Sequence, residues 1–274
     1  MTIHAQGDTP WARHCDAMTK RLLLTLLALA LPPLAARAAG PRIVFMIGEE
    51  EYHTWETLPA FAKADLEPLG YQVTLITADP ADKNSFPGLI GALRDADLLF
   101  LSVRRRTPPI AQLDAVRAYL ASGRPLVGIR TACHAFLLLD ARPADPRLED
   151  WREFGPEVLG SHYTRHYPDA QITTIVVPPG GENHPILRGV SAAALAGNDS
   201  LYAVDPLATD AVPLIVTTIP PHPLEAIAWT RAYGANRARI FYTQLGGPKD
   251  FQNPDFRRLL VNGVAWALAR SGAP

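Results

Sequence analysis

Between residues 42 and 129 the chain alternates short, unbroken apolar runs with longer segments whose apolar residues recur every three or four positions. The runs at 42–47 (R-I-V-F-M-I), 72–77, 96–102 and 125–129 are too short for buried helices. The first is unbroken and apolar, the signature of a buried strand, and the other three read as further strands of the same sheet. Between them, Leu58, Phe61, Ala62, Leu66 and Leu69 fall on one helical stripe that Gly70 closes. Ile110, Leu113, Val116 and Leu120 form a second stripe, ended by Gly123. Strand, helix, strand units of this length join parallel strands through right-handed crossovers. The expected architecture is an α/β fold: a three-layer α/β/α sandwich around a doubly wound, mostly parallel sheet.

Beyond a Pro-rich, charged stretch at 140–150 the strand signals become denser, at 171–177, 212–218, 226–230 and 239–243. Residues 254–270 then carry Phe256, Leu259, Leu260, Val264, Trp266 and Ala267 on one helical face. No internal repeat, low-complexity tract or domain linker interrupts this half.

The N-terminus has a different character. Lys20 and Arg21 precede ten apolar residues at 22–31, and Ala36-Arg37-Ala38 forms a small-x-small site, the pattern of a secretory signal peptide. Pro32 and Pro33 break the run well short of the roughly 20 apolar residues of a membrane span. The competing reading is an uncleaved anchor. The expectation is an N-terminal extension and signal peptide over 1–38, with Met18 the true start, and one exported domain over 39–274, periplasmic or secreted. Cleavage after Ala38 removes Cys15 and leaves Cys133 as a lone cysteine, which in an oxidising compartment is buried, reactive or incidental. With 26 basic and 27 acidic side chains the net charge is −1, so no summed field attracts nucleic acid, nor, once the leader is gone, a membrane.

In open parallel sheets ligands collect beyond the carboxyl ends of the strands. Here those ends carry Glu49, Glu50, Glu51, Tyr52, His53 and Trp55 after the first strand, and Arg104, Arg105 and Arg106 after the third. Arg130, Thr131, Cys133 and His134 follow the fourth, in G-I-R-T-A-C-H-A-F, where a tight turn would expose its residues at the top of the sheet.

These loops, E-E-E-Y-H-T-W-E-T-L-P, S-V-R-R-R-T-P-P and G-I-R-T-A-C-H-A-F, are followed by G-S-H-Y-T-R-H at 160–166, N-H-P-I-L at 183–187, L-Y at 201–202, A-W-T-R-A-Y-G and R-I-F-Y-T-Q-L-G. In order and spacing the chain resembles the ThuA-like (trehalose-utilisation) family from about residue 42 to the final helix. That resemblance implies a class I glutamine amidotransferase-like, flavodoxin-related fold, a link to disaccharide catabolism, and self-association. It also matches His162, Tyr163 and His166 to the family's histidine motif and His184 to another family histidine.

Aligning Gly128-Ile129 on the G-x-C-x-G of true amidotransferases puts Arg130 at the nucleophile position. Arginine is neither nucleophile nor base at neutral pH, so glutamine hydrolysis by the usual triad is not expected. Cys133 is either activated by a helix N-terminus and His134 or packed beneath the turn. His162 and His166 would share a helix face as metal ligands do, but Gly160-Ser161 and Pro168 point to a loop and thus to a cleft wall, with no metal and no cofactor.

Tyr52, Trp55 and Tyr163 offer aromatic faces, and His53, His166, Arg104, Arg105 and Arg130 offer donors, a set suited to a polyhydroxylated ligand. Three functions compete. One is an exported enzyme acting on a sugar or keto-sugar, with His134 or His162 as acid/base and Arg130 stabilising developing negative charge. The others are a non-catalytic sugar-binding or scaffold protein and a Cys133-dependent hydrolase.

Overall fold

The computed structural model describes residues 40–138, 142–168, 174–195, 199–204, 206–219 and 224–269. The expected leader and Cys15 lie outside the described residues, as do residues 171–173 and 270 of the expected elements.

The first half is built from β1 (Arg42–Gly48), α1 (Thr54–Phe61), β2 (Gln72–Thr77), α2 (Leu89–Asp95), β3 (Leu98–Val103), α3 (Ile110–Ala121) and β4 (Leu126–Ile129). The helix expected to run to Leu69 is α-helical only to Phe61 and continues as a π turn (Ala62–Leu66) and a 3-10 turn (Glu67–Leu69). Pro59 and Pro68 each lack a backbone donor, and Gly70 at φ 93° ends the element. Helix α2 had no sequence expectation; two glycines, Gly88 and Gly91, break up its short stripe.

The second half contributes β5 (Arg165–His166), β6 (Thr174–Val176), β7 (Tyr202–Ala203), β8 (Val212–Thr218), β9 (Leu224–Tyr233), β10 (Ala238–Thr243) and α4 (Pro254–Leu268). The main sheet runs β2-β1-β3-β4-β10-β9-β8-β6. Its first five strands are parallel neighbours, and β9, β8 and β6 extend it antiparallel. It is thus a mostly parallel mixed sheet flanked by helices. β5 and β7 pair separately.

Two cores explain the unbroken apolar runs. On β1, Val44 and Met46 face the core shared with Leu89 and Leu93 of α2 and Leu113 and Val116 of α3. Ile43, Phe45 and Ile47 face the opposite core, with Leu58 and Phe61 of α1 and Leu259 and Val264 of α4. The connection from β1 therefore crosses on one face and the next two on the other. The strand order reverses between β1 and β3, leaving a crevice at their carboxyl ends.

Candidate functional site

At that crevice the loop after β1 is held by a buried carboxylate. Glu49 is 3% exposed and accepts hydrogen bonds from the backbone N–H groups of Glu51 (2.8 Å), Tyr52 (2.7 Å) and Thr54 (2.7 Å) and from Thr54 Oγ1 (2.6 Å). Thr54 Oγ1 lies 2.9 Å from Ser102 Oγ, which ties the loop to β3. Past β3, Arg104 N donates to Gly48 O and Arg105 N to His134 O, so the three strand ends are stitched together.

Backbone strain gathers here. Among the described residues, four non-glycine residues have positive φ, and three of them, His53 (52°), Arg105 (49°) and Arg130 (48°), follow the neighbouring strands β1, β3 and β4. Each costs about 1–3 kcal/mol and persists only where its surroundings over-determine it, as at functional sites. The fourth, Arg237, lies in the turn between β9 and β10.

The strand ends enclose a cleft of about 300 Å³. Glu51, Tyr52, Arg104, Arg105, His134, Tyr163, His166, Ser200 and Tyr202 line it. Arg104 Nε lies 2.8 Å from Glu51 Oε2. The His134 ring packs 4.2 Å from that of Tyr163 and edge-on to Tyr202 at 5.4 Å. Burial first, then the charges of Arg105, Arg104 and Arg130, hold its pKa well below the ordinary histidine value, so the ring is neutral at pH 7.

Arg130 corrects the sequence expectation. Its side chain does not line the cleft; it lies beneath, 1% exposed, with Nη1 donating to Ser200 O and Gln244 O, both at 2.9 Å. The guanidinium sits over the Tyr52 ring at 3.8 Å and the Tyr202 ring at 5.0 Å. Burial opposes its charge, but Tyr202, Tyr52 and Asp199 outweigh that and leave its pKa above the ordinary value. The residue at the elbow therefore clamps the cleft floor instead of meeting a ligand's charge. Tyr242 Oη donates to Arg130 O at 2.5 Å and holds the elbow from below.

Cys133 is corrected as well. The sequence after β4 forms only a five-residue 3-10 turn, Arg130–His134, and not the longer helix whose N-terminus would acidify a thiol. The thiol is buried, and that burial pushes its pKa up to about 12, the reverse of what a nucleophile at neutral pH requires. Its Sγ lies 3.2 Å from His134 Nδ1.

The remaining residues divide. His166, Tyr163, Tyr52, Arg104 and Arg105 come together at the cleft. His162 is exposed outside the lining, because the backbone around it pairs with residues 203 and 204 and turns Tyr163 inward instead. That removes it from the acid/base role beside Arg130. His53 is exposed at the N-cap of α1, and Trp55 lines a separate cleft. His184 caps a 3-10 turn, its Nδ1 accepting from Ile186 N. Among the described residues no group of three His, Cys, Asp or Glu side chains is placed to hold a metal ion.

Sequence reasoning missed Ser200 and Tyr202 as cleft residues and Gln244 as their support. Gln244 Oε1 accepts from Tyr202 N (2.6 Å), while Nε2 donates to Tyr202 O (3.1 Å) and Ala226 O (2.7 Å). The amide acts as a strand substitute that fixes the segment opposite Arg130. The only signals were the L-Y and T-Q-L-G motifs, whose chemistry is silent until the fold brings them together.

Comparison with known proteins agrees with this architecture. The model of the ThuA family, described as trehalose utilisation, matches residues 53–267. No curated protein matches. Among solved structures, a ThuA-like protein from Parabacteroides merdae superposes with a TM-score of 0.55 at 17% identity, covering 86% of this chain and 94% of that one. The N-terminal domain of mmIFT52 gives 0.49 at 12% identity, covering 85% of this chain and 99% of that one. Exo-beta-1,4-mannosidase Op5Man5 from Opitutaceae bacterium strain TAV5 gives 0.43 at 12%, covering 93% of this chain and 38% of that one. The family match spans most of the chain and takes in the loops after β3 and β4, beginning just past Glu51 and Tyr52 of the first loop, and the chain belongs to the ThuA, or trehalose-utilisation, family.

Proposed function

We propose that this chain is an exported protein of carbohydrate catabolism whose cleft takes a sugar or keto-sugar and polarises its carbonyl. The observation that carries the reading is the convergence of a neutral, buried His134 with Arg104, Arg105 and the aromatic faces of Tyr52, Tyr163 and Tyr202 on one small cleft. Aromatic faces cover the C–H surfaces of a sugar ring, and arginines donate to its oxygens.

His134 supplies the chemistry. Cys133 Sγ lies 3.2 Å from Nδ1, so a protonated thiol can donate to that nitrogen, the arrangement in which the single ring proton sits on Nε2. A neutral imidazole with that tautomer is a hydrogen-bond donor to a carbonyl oxygen, and the nearby arginine charges stabilise the negative charge that develops there. Glu51 and His166 are the lining groups able to exchange a proton with the polarised ligand. Export rests on the Lys20–Ala38 leader pattern.

Thermal-shift titration with mono- and disaccharides and their keto derivatives, followed by a turnover assay on each hit, tests the proposal. Stabilisation by sugars with turnover lost in His134→Asn is the expected result. Stabilisation without product makes this a binding protein, and no stabilisation by any sugar removes the carbohydrate reading. Mass analysis of the protein recovered from the extracytoplasmic fraction, starting near Ala39, tests export.

A further inference from the structure

Around the ends of β1, β3 and β4 the acids are already matched. Glu51 Oε2 lies 2.8 Å from Arg104 Nε, and Glu50 engages Lys83 (2.6 Å) and Arg106 (3.8 Å). Glu49 is buried and spends its oxygens on three backbone N–H groups and the Thr54 hydroxyl. Beneath the cleft, Asp199 and Arg130 attract one another. Arg105 is left over. Among the described residues no carboxylate forms an ion pair with it, and its Nε is buried without a hydrogen-bond partner. Arg106 and Arg130 also have an unpartnered Nε, but each faces an acid.

Arg105 is fixed where it stands. Its backbone holds a left-handed geometry, φ 49°, that is uncommon outside glycine, and its N–H donates to His134 O. The half-buried side chain lines the cleft, and its charge weighs on His134 more than that of Arg104 or Arg130. The charged lining groups are two arginines against one carboxylate, Glu51, and neither lining histidine is negative in any protonation state. The cleft therefore carries a surplus positive charge, and that charge sits on Arg105.

A neutral sugar filling the cleft would strip water from Arg105 and return only hydroxyl dipoles, and a desolvated charge without a counter-charge is strongly unfavourable. A carboxylate on the sugar supplies the missing charge, and the planar guanidinium meets its two oxygens with two parallel N–H donors. A phosphate dianion would overshoot a single surplus charge. The volume of about 300 Å³ is at the small end for ligand pockets and suits one ring.

We propose that the ligand of the His134 cleft is a single sugar acid whose carboxylate is held by Arg105. This rests on the carbohydrate reading above and makes Arg105 the residue that selects for charge.

Calorimetric titration of the full chain, at low and at physiological salt, tests it with glucuronate and gluconate, their neutral counterparts glucose and glucitol, glucose 6-phosphate, and lactate. The expected result is that one or both acids bind about tenfold or more tighter than the neutral counterpart, and that Arg105→Ala closes the gap to within about twofold. Added salt narrows the gap, and Arg105→Lys, which keeps the charge and loses the planar fork, restores part of it. Equal binding of each acid and its counterpart, or a gap that survives Arg105→Ala, overturns the proposal and leaves the carbohydrate reading standing. Glucose 6-phosphate binding tighter than either acid does the same. Binding of lactate through Arg105, with no sugar or sugar acid bound, keeps a carboxylate on Arg105 and overturns the carbohydrate reading. Failure of the wild-type chain to bind any of these overturns both.

Discussion

The ends of β3 and β4 begin alike. Each buried parallel strand is followed within two residues by an arginine with left-handed backbone geometry, Arg105 at φ 49° and Arg130 at φ 48°. Their side chains go to opposite places. Arg105 lines the cleft beside Tyr163, while Arg130 turns beneath it, onto the Ser200 and Gln244 carbonyls and the Tyr52 and Tyr202 rings. The same local conformation thus yields a cleft-lining cation in one loop and a structural clamp in the next. What holds Arg130 beneath the cleft is the pair of carbonyls, Ser200 O and Gln244 O, that the second half of the chain brings to its guanidinium.

Replacement of the two arginines tests this difference most directly. Arg130→Met removes two charge-assisted hydrogen bonds, worth about 1.5–3 kcal/mol each, and is expected to lower stability by about 3–5 kcal/mol in chemical denaturation. Unfolding at wild-type denaturant concentration would show that Arg130 is not a clamp. Arg105→Ala should do the reverse: stability within about 1 kcal/mol of wild type, and sugar affinity lowered about 10- to 100-fold, the loss of one hydrogen bond from a charged donor. If it melts early and binds normally, the two roles have been exchanged.

Glu49→Gln probes the carboxylate that holds the loop after β1. An amide in place of one carboxylate oxygen turns a donor toward backbone N–H groups, at a cost of about 1–3 kcal/mol, measurable by denaturation. Native-state hydrogen exchange should speed up at Tyr52 and Thr54 more than at β4.

The histidine beside Arg130 and Arg105 gives a smaller, pH-dependent signature. Folding lowers the His134 pKa, so below about 6.5 the unfolded chain takes up a proton that the folded chain refuses. The stabilisation is complete above that pH and is lost as the pH falls toward the folded value. Melting temperature should therefore drop between pH 7 and 5, and His134→Asn should flatten part of that slope; an unchanged slope would mean that His134 is not held neutral. Last, Cys133 should resist iodoacetamide in the native protein and react on unfolding, since burial holds its pKa up at about 12. Modification of the native chain at the rate of a free thiol would contradict that burial.

Residue by residue, the site was half legible. Tyr52, Arg104, Arg105 and His134 were recognisable because strand-end loops are short and their polar and aromatic content has few other places to go, whereas Tyr163 and His166 were picked out only by the family's histidine motif. His162 and His166 carried equal signals in the sequence and both are exposed, yet only His166 lies at the cleft, a difference that only the path of the chain between them settles. Ser200, Tyr202 and Gln244 gave no chemical signal at all. A serine, a tyrosine and a glutamine in separate segments mean nothing until they share a partner.

By itself the amino-acid sequence determined the alternation of buried strands and amphipathic helices, and with it the parallel sheet and the end of that sheet at which the candidate cleft lies. Those follow from periodicities that repeat within a few residues. Only the tertiary structure decided which side chains line the cleft and which lie beneath it. Arg130 finds its acceptors 70 and 114 residues away, and desolvation, which keeps His134 neutral and Cys133 protonated, exists only once those distant segments close over the turn.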